Sequence, residues 1–247
     1  MRFNHIFKLT NENETHREYK CDNVNINIDF ISGSALRVAV FNDNAEMLPT
    51  FTVNPNNNLS SLGRSRLSVD GFDCVAPVVE KFENKEKFVL DCGVTVDLDL
   101  HNFILSYSKE SKLLFGDRAP LAYNFEGEFG NGSYHYITRE DDEHIFGLGD
   151  KSGLINKAGQ VYRVETADSM GFDAEKTDPL YKHVPFYICE NSVGAYGIYY
   201  DTTDTSFVDL GREINNYYCH FKYFKTDDDC LVYYVFFGIE IFDRAFF

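Results

Sequence analysis

Strict alternation of apolar and polar residues is the feature that most constrains this chain. In "VNINIDF", Val24, Ile26, Ile28 and Phe30 share one face while Asn25, Asn27 and Asp29 share the other. "LRVAVF" (36–41) and "VTVDLDL" (94–100) repeat the same period of two, which is the pattern of antiparallel strands with one buried and one wet face. "FILSYS", "AYGIYYD", "YYCHFKYF" and "CLVYYVFF" continue it at short intervals. Between them stand the turn clusters "ISGSA", "VDGFD", "FENKEK", "EFGNGS" and "KTDDD", whose Gly, Asn and Asp residues supply the backbone angles that reverse a chain. The Asn-rich "NPNNNLSSLG" reads as a loop and not as a domain boundary. No internal stretch carries a helical period of ten residues or more, and only Ile239–Phe247 could begin a helix, with Ile239, Phe242 and Phe246 near one face. The expected fold class is therefore all-β, an antiparallel β-sandwich with a short helical start at its C-terminus. Composition agrees, because 23 Phe and 16 Tyr suit pleated, half-buried surfaces.

Charge and cysteine usage narrow the function. A formal net charge of −16 disfavours phosphate backbones and anionic lipid, so neither nucleic acid nor membrane is expected as a partner. The N-terminus lacks the apolar run of a signal peptide, and no segment approaches the ~20 apolar residues of a membrane span. Six cysteines (Cys21, Cys74, Cys92, Cys189, Cys219 and Cys230) are widely spread without a C-x-x-C pair. They read as free thiols, mostly buried, in a reducing cytoplasm, with no metal site and no cofactor expected. The acidic runs "REDDEH" (139–144) and "KTDDDC" (225–230) lack EF-hand spacing and read as solvated turns. "YDTTDTSFVD" (200–209) reads as turn capping by Asp201, Asp204 and Asp209.

Two loops carry candidate chemistry. "FGLGDKSGL" (146–154) has the composition of a phosphate cradle, but Gly147, Gly149 and Gly153 are spaced G-x-G-x-x-x-G, and no amphipathic helix follows. Lys151 precedes Gly153 instead of following it, so neither a dinucleotide fingerprint nor a P-loop is present. The glycines fit tight backbone geometry at a turn between β-segments. No G-x-S-x-G occurs, and no His stands in a nucleophile context. The second loop, "ETADSMGFDAEKTDPLYKHVPFYI" (165–188), holds Asp168, Asp173 and Asp178. It is long and polar, the kind of segment where binding residues tend to sit.

Taken together, "FGLGDKSGLINKAGQVYRVETADSMGFDAEKTDPLYKHVPFYI" resembles the N-terminal β-sandwich region of glycoside hydrolase family 31, the α-glucosidase and α-xylosidase family. The resemblance rests on Gly147, Gly149, Gly153, Asn156, Lys157, Gly159, Tyr162 and Arg163, then on Asp168 and the run Thr177, Asp178, Pro179, Leu180, Tyr181, Lys182, ending at Pro185 and Phe186. "GAYGIYYDTTDTSFVDLGRE" downstream and "LLFGDRAPLAYNFEGEF" upstream are similar to the flanking hairpin and strand, so the dense match runs from Ile145 to Glu213. It departs from the family at Asp150, where Glu is common, and at "TADSM", where "NTDAP" or "RDTT" is common.

The resemblance implies a galactose-mutarotase-like β-sandwich over residues 1–238 and, over 239–247, the start of a connector to a (β/α)8 catalytic barrel absent from this chain. It implies the N-terminal domain of a cytoplasmic α-glycosidase of carbohydrate metabolism, acting with retention on an α-linked oligosaccharide or glucoside. The catalytic carboxylates would lie on the barrel, leaving no catalytic residue here and this chain inactive by itself. Asp168 is implied to reach a sugar hydroxyl in the barrel's active site, against the alternative of a turn-capping Asp. Gly147, Gly149, Asp178 and Pro179 are implied to be structural, and Asp150 to make a structural hydrogen bond. The alternative to an enzyme part is a stand-alone carbohydrate-binding module using Tyr and Phe platforms. The apolar run "VYYVFFGIEIFDRAFF" further motivates self-association.

Overall fold

The computed structural model describes residues 5–55, 63–127, 130–212 and 221–238, of which 125–127, 130 and 131 are described by their backbone. Among the described residues there are eighteen strands and no helix. The expected helical start at 239–247, and with it the connector boundary, lies outside them.

The largest sheet has eight strands, in spatial order β1 (Lys8–Glu12), β2 (His16–Cys21), β3 (Val24–Ser32), β4 (Ala35–Asn42), β18 (Cys230–Phe237), β15 (Gly194–Tyr200), β14 (Phe186–Asn191) and β12 (His144–Gly147). Two five-stranded sheets complete the fold. One runs β5 (Val78–Lys81), β6 (Lys85–Val89), β7 (Val94–Asp99), β8 (Ile104–Lys109) and β9 (Lys112–Gly116) in sequence order. The other is ordered β10 (Tyr123–Gly127), β11 (Gly130–Thr138), β17 (Phe221–Thr226), β16 (Ser206–Asp209) and β13 (Val161–Val164). Every pairing is antiparallel, for example Val38 opposite Ile28 on one side and Tyr233 on the other.

The alternating residues do what their period requires. Ile26, Ile28, Phe30, Leu36, Val38 and Val40 of the large sheet join Val94, Val96, Leu98 and Leu105 of one small sheet and Val164, Val208 and Phe224 of the other in a single apolar cluster. Aromatic rings span the layers. Tyr107, Phe115 and Tyr196 stack in succession with centroids 4.3 and 3.8 Å apart, and Tyr200 stacks on Phe224. Parallel stacking of this kind gives the Phe and Tyr side chains contact across the layers as well as buried area.

Several expectations are corrected. The polar face of β3 is not wet: Asn27 and Asp29 are buried. The segment between β4 and β5 covers the outer face of the large sheet, where Met47, Val53, Leu67 and Phe72 pack on a second cluster of Ile31, Ala39, Val232 and Tyr234. Arg37, 1% exposed, fastens this cover. Its Nε and Nη2 donate to Asp29 Oδ2 at 3.0 and 2.7 Å, and its remaining N–H groups donate to the carbonyls of Arg66, Leu67 and Ser68 at 2.6–2.8 Å. A guanidinium suits this task because its donors form a planar fork.

The acidic runs are not wholly solvated turns either. Glu143 and Asp228 are both buried. Lys222 donates to both Glu143 oxygens at 2.8 and 2.6 Å and to Tyr196 Oη at 2.7 Å, tying β17 to β15 across the sandwich. Asp228 accepts from Arg66 at 2.5 Å and from Thr202 at 3.0 Å. A run of like charge hides such a residue because its burial depends on a cation far away in sequence. In the 200–209 stretch, Asp209 does cap a turn, accepting from the Gly211 and Arg212 amides at 2.8 and 2.7 Å. Asp201 instead accepts from the hydroxyls of Thr50 and Thr52, binding the cover segment. Of the five described cysteines, all free, only Cys189 and Cys230 are buried; burial pushes the Cys189 thiol up to about 11. Cys219 lies outside the described residues.

Candidate functional site

The glycines of "FGLGDKSGL" shape a reversal at the edge of the large sheet. Gly147, Leu148 and Gly149 all have positive φ (119°, 65° and 70°), a conformation that side chains other than glycine resist. A Cβ at Gly147 would stand 2.6 Å from the Phe186 carbonyl oxygen on the paired strand. The Leu148 amide donates to that same oxygen at 2.7 Å, and its side chain is fully buried. The turn thus drops Leu148 into the core and sends the chain out along 150–160.

That outgoing segment is stitched to the Asp-rich loop. Asn156 Oδ1 accepts from the Ile145 and Ala158 amides at 3.0 and 3.1 Å, Gly159 N–H donates to Leu210 O at 2.8 Å, and Gly153 N–H donates to Ala174 O at 2.9 Å. Lys157 is buried, donating to the Ser152 carbonyl at 3.1 Å with its ammonium 5.3 Å from the Tyr162 ring centroid. Burial holds the Lys157 pKa below the usual lysine value, the neighbouring Lys151 charge adds to this, and Asp178 opposes it.

Lys151 and Asp178 form the central tie. The Lys151 side chain is wholly enclosed, and its ammonium donates to Asp178 Oδ1 at 2.8 Å and to the Arg163 carbonyl at 2.5 Å. The other Asp178 oxygen accepts from the Arg163 amide at 2.6 Å. Pro179 follows through a cis peptide bond. Asp150 meets Lys182 at 3.3 Å on the surface. Sequence reasoning missed Lys151 as a partner for Asp178, because a contact across 27 residues between two loops leaves no local pattern.

The three aspartates of the loop are used differently. Asp173 organises its own turn: its Oδ1 accepts from the Glu175 amide at 2.8 Å, its amide donates to Thr177 Oγ1 at 2.7 Å, and its carbonyl accepts from the Lys176 and Thr177 amides. Asp178 holds Lys151. Asp168 is exposed, and among the described residues no hydrogen bond or ion pair engages its carboxylate. The backbone around it is nonetheless anchored, since Ala167 N–H donates to Leu180 O at 3.1 Å and Ser169 Oγ donates to Pro179 O at 2.9 Å. Apolar side chains on the same pair of segments face solvent, with Met170 at 95%, Leu154 at 80% and Ile155 at 79% exposure, and Phe172 and Tyr181 also exposed. Such a group on a fixed loop offers an acceptor for hydroxyl donors, within a surface suited to being covered. The apolar residues carry a sequence signal that could have been read: large hydrophobics inside a Gly- and Asp-rich loop have no strand face to hide on.

The C-terminal run that motivates self-association is different. Val232 to Val235 and Phe237 are buried within β18, a central strand of the large sheet. The rest of that run, from residue 239, lies outside the described residues.

Comparison with known proteins agrees with this architecture. Residues 25–209 match the family described as the glycosyl hydrolase 31 N-terminal galactose mutarotase-like domain. Alpha-glucosidase 2 of Bacillus thermoamyloliquefaciens is 26% identical over 133 residues, which is 53% of this chain and 16% of that protein. Among solved structures, a GH31 dextranase of Flavobacterium johnsoniae complexed with isomaltotriose superposes with a TM-score of 0.73 at 21% identity, over 97% of this chain and 27% of its own. The glucosidase II alpha subunit, in a form bound to Glc1Man2, gives 0.71 at 11% identity, over 96% of this chain and 33% of its own. At these identities the structural likeness speaks for the fold, and the chain spans a third or less of each of these relatives. The extent of the family match, together with an all-β antiparallel fold of the same kind, shows that this chain belongs to the glycosyl hydrolase 31 N-terminal galactose mutarotase-like domain family.

Proposed function

We propose that this chain is the N-terminal domain of a retaining α-glycosidase, most simply an α-glucosidase, and that it lends Asp168 to a sugar subsite completed by a catalytic barrel. The observation that carries this reading is that Asp168, alone among the three aspartates of its loop, has no partner among the described residues while its backbone is anchored on both sides. An ionised carboxylate aimed at sugar hydroxyls gives directional recognition once a covering domain excludes water. The exposed Leu154, Ile155, Met170 and Phe172 supply apolar area for that cover. The two carboxylates that cleave the glycosidic bond through a covalent glycosyl intermediate would come from the barrel. Likeness to an alpha-glucosidase, and neighbours whose structures hold isomaltotriose or glucose, support an α-linked glucoside as substrate. A cytoplasmic location belongs to the same proposal and rests on the unpatterned cysteines.

Kinetics test it. The purified 247-residue chain should not turn over an aryl α-glucoside. In an enzyme that contains the barrel, Asp168→Ala should lower kcat/KM by roughly ten- to a hundredfold, the worth of one hydrogen bond to a charged group. Turnover by the isolated chain, or unchanged kinetics of the variant, overturns the proposal.

One observation favours the alternative of a stand-alone carbohydrate-binding module. The solvent face of the β5–β9 sheet holds a groove of about 370 Å³ lined by Phe82, Lys87, Asp97, Asp99 and His101, which combines an exposed ring with polar groups. Titration calorimetry of the isolated chain with maltooligosaccharides separates the two, since binding without a barrel is expected only for the module.

A further inference from the structure

The spread of cysteines along the chain suggests no metal site, yet the fold brings three unlike donor groups together at one end of the large sheet. His5 Nδ1 lies 3.8 Å from Cys21 Sγ and 3.6 Å from Asp22 Oδ2, and one ligand atom from each residue falls within 4.8 Å of the others. We propose that His5, Cys21 and Asp22 bind a borderline-soft divalent cation of the zinc type, with water in the fourth position.

Geometry is the first argument. Bonds of about 2.0–2.1 Å to imidazole nitrogen, 2.3 Å to sulfur and 2.0–2.2 Å to carboxylate oxygen put tetrahedral ligands roughly 3.4–3.6 Å apart. The two separations from His5 Nδ1 lie within a few tenths of an ångström of those edges, and the Cys21 and Asp22 donor atoms lie within 4.8 Å of each other, so side-chain rotation would bring the three onto one ion.

The second argument is how firmly the donors are placed. Residues 5–7 are fastened to the turn between β7 and β8: His5 N–H donates to Asn102 Oδ1 at 3.1 Å, Asn102 N–H donates to His5 O at 2.8 Å, and Phe7 N–H donates to Leu100 O at 3.0 Å. Cys21 pairs with Val24 across the β2–β3 hairpin, whose turn residue Asp22 has φ 51°. In an extended strand, neighbouring side chains point to opposite faces. At this left-handed turn the Asp22 carboxylate nonetheless lies within 4.8 Å of the thiol of the residue before it. Sequence spacing hides this, since adjacent residues are not an expected chelating pair.

The donor set supplies the third argument. Thiolate with imidazole favours zinc-like ions over magnesium or calcium, which prefer sites made wholly of oxygen ligands. An ion here would join the start of β1 to the β2–β3 turn, a staple far from the Asp168 loop in sequence and independent of any sugar chemistry.

Titration of the full 247-residue chain with Co2+ alone tests the site. The expected result is saturation at one equivalent, with a sulfur-to-cobalt charge-transfer band and the strong visible bands of tetrahedral cobalt, both displaced by Zn2+. Cys21→Ser and His5→Gln should abolish the charge-transfer and tetrahedral signatures respectively, and Asp22→Asn should weaken binding about tenfold or more. Cys92→Ser should change nothing. Unfolding midpoints measured without metal establish that each variant is folded, and in the parent chain the midpoint should rise with Zn2+ concentration. Absence of the bands in the parent, or their survival in Cys21→Ser, overturns the site.

Discussion

The interior of the sandwich and the 148–182 loops treat charge in opposite ways. Inside, buried cations meet buried carboxylates: Lys222 with Glu143, Arg37 with Asp29 and Arg66 with Asp228, while the His135 ring is hydrogen-bonded to Asp117 at 2.9 Å. Buried charge demands this, because desolvation without a partner costs several kcal/mol. In the loops, Lys151 and Asp178 obey the same rule at the base, while Asp168 and the apolar Met170 and Leu154 above them are left to solvent. The contrast separates what the chain completes by itself from what it leaves for something else to complete.

Four perturbations would break or sharpen that contrast. The largest effect belongs to the interior. Lys222→Met strands the Glu143 carboxylate and should cost about 3–5 kcal/mol in denaturant unfolding. The double variant Lys222→Met/Glu143→Leu should recover much of that loss, because an apolar pair of similar volume is often neutral. A double variant no more stable than the single one would mean the pair holds the layers by more than its charges.

Next come the glycines that launch the loop. Gly147→Ala sets a Cβ against the Phe186 carbonyl at an unfavourable φ and should cost about 2–4 kcal/mol. Gly159→Ala meets open space, so only its φ of 74° counts against it, at about 1 kcal/mol. Equal costs would show that close approach is not what selects glycine at 147.

A smaller effect depends on pH. Burial of His16 works against its charge, but hydrogen bonds from its ring to Glu18 and Asp29 outweigh this and hold its pKa above the ordinary 6.5. A raised folded value means that protonated His16 contributes stability in full below the unfolded pKa. That contribution is lost as pH rises through the folded value. Unfolding midpoints should therefore fall from near pH 6.5 upward, and His16→Gln should flatten the trend.

The smallest effect is the most telling. Asp168→Ala should alter stability by no more than about 0.5 kcal/mol. A clear loss would mean the carboxylate serves the loop, as a turn-capping Asp would, and would remove it from the sugar subsite.

Comparing these regions also shows what a sequence can carry. The period of two was enough for strands such as β3, β4, β7 and β18 and for the antiparallel class, since alternation follows directly from backbone geometry. The landmark glycines were legible as a turn for the same local reason. Glu143 and Asp228 were not legible inside "REDDEH" and "KTDDDC", and neither was the burial of Asn27 and Asp29. Their environment is set by Lys222, Arg66 and Arg37, or by the segment folded over β3.

The candidate sites divide in the same way. Asp168 came from resemblance to a family, and spacing alone could not distinguish it from Asp173 and Asp178. Only the tertiary structure separated the three, by giving Asp173 its own turn, Asp178 the ammonium of Lys151, and Asp168 no partner among the described residues. The meeting of His5 with Cys21 and Asp22 likewise required a hairpin, a left-handed turn residue and a neighbouring sheet. The sequence by itself determined the strand pattern, because side-chain alternation is a property of each extended segment. Only the folded chain decided which polar groups are satisfied, because desolvation and pairing depend on neighbours brought from distant positions.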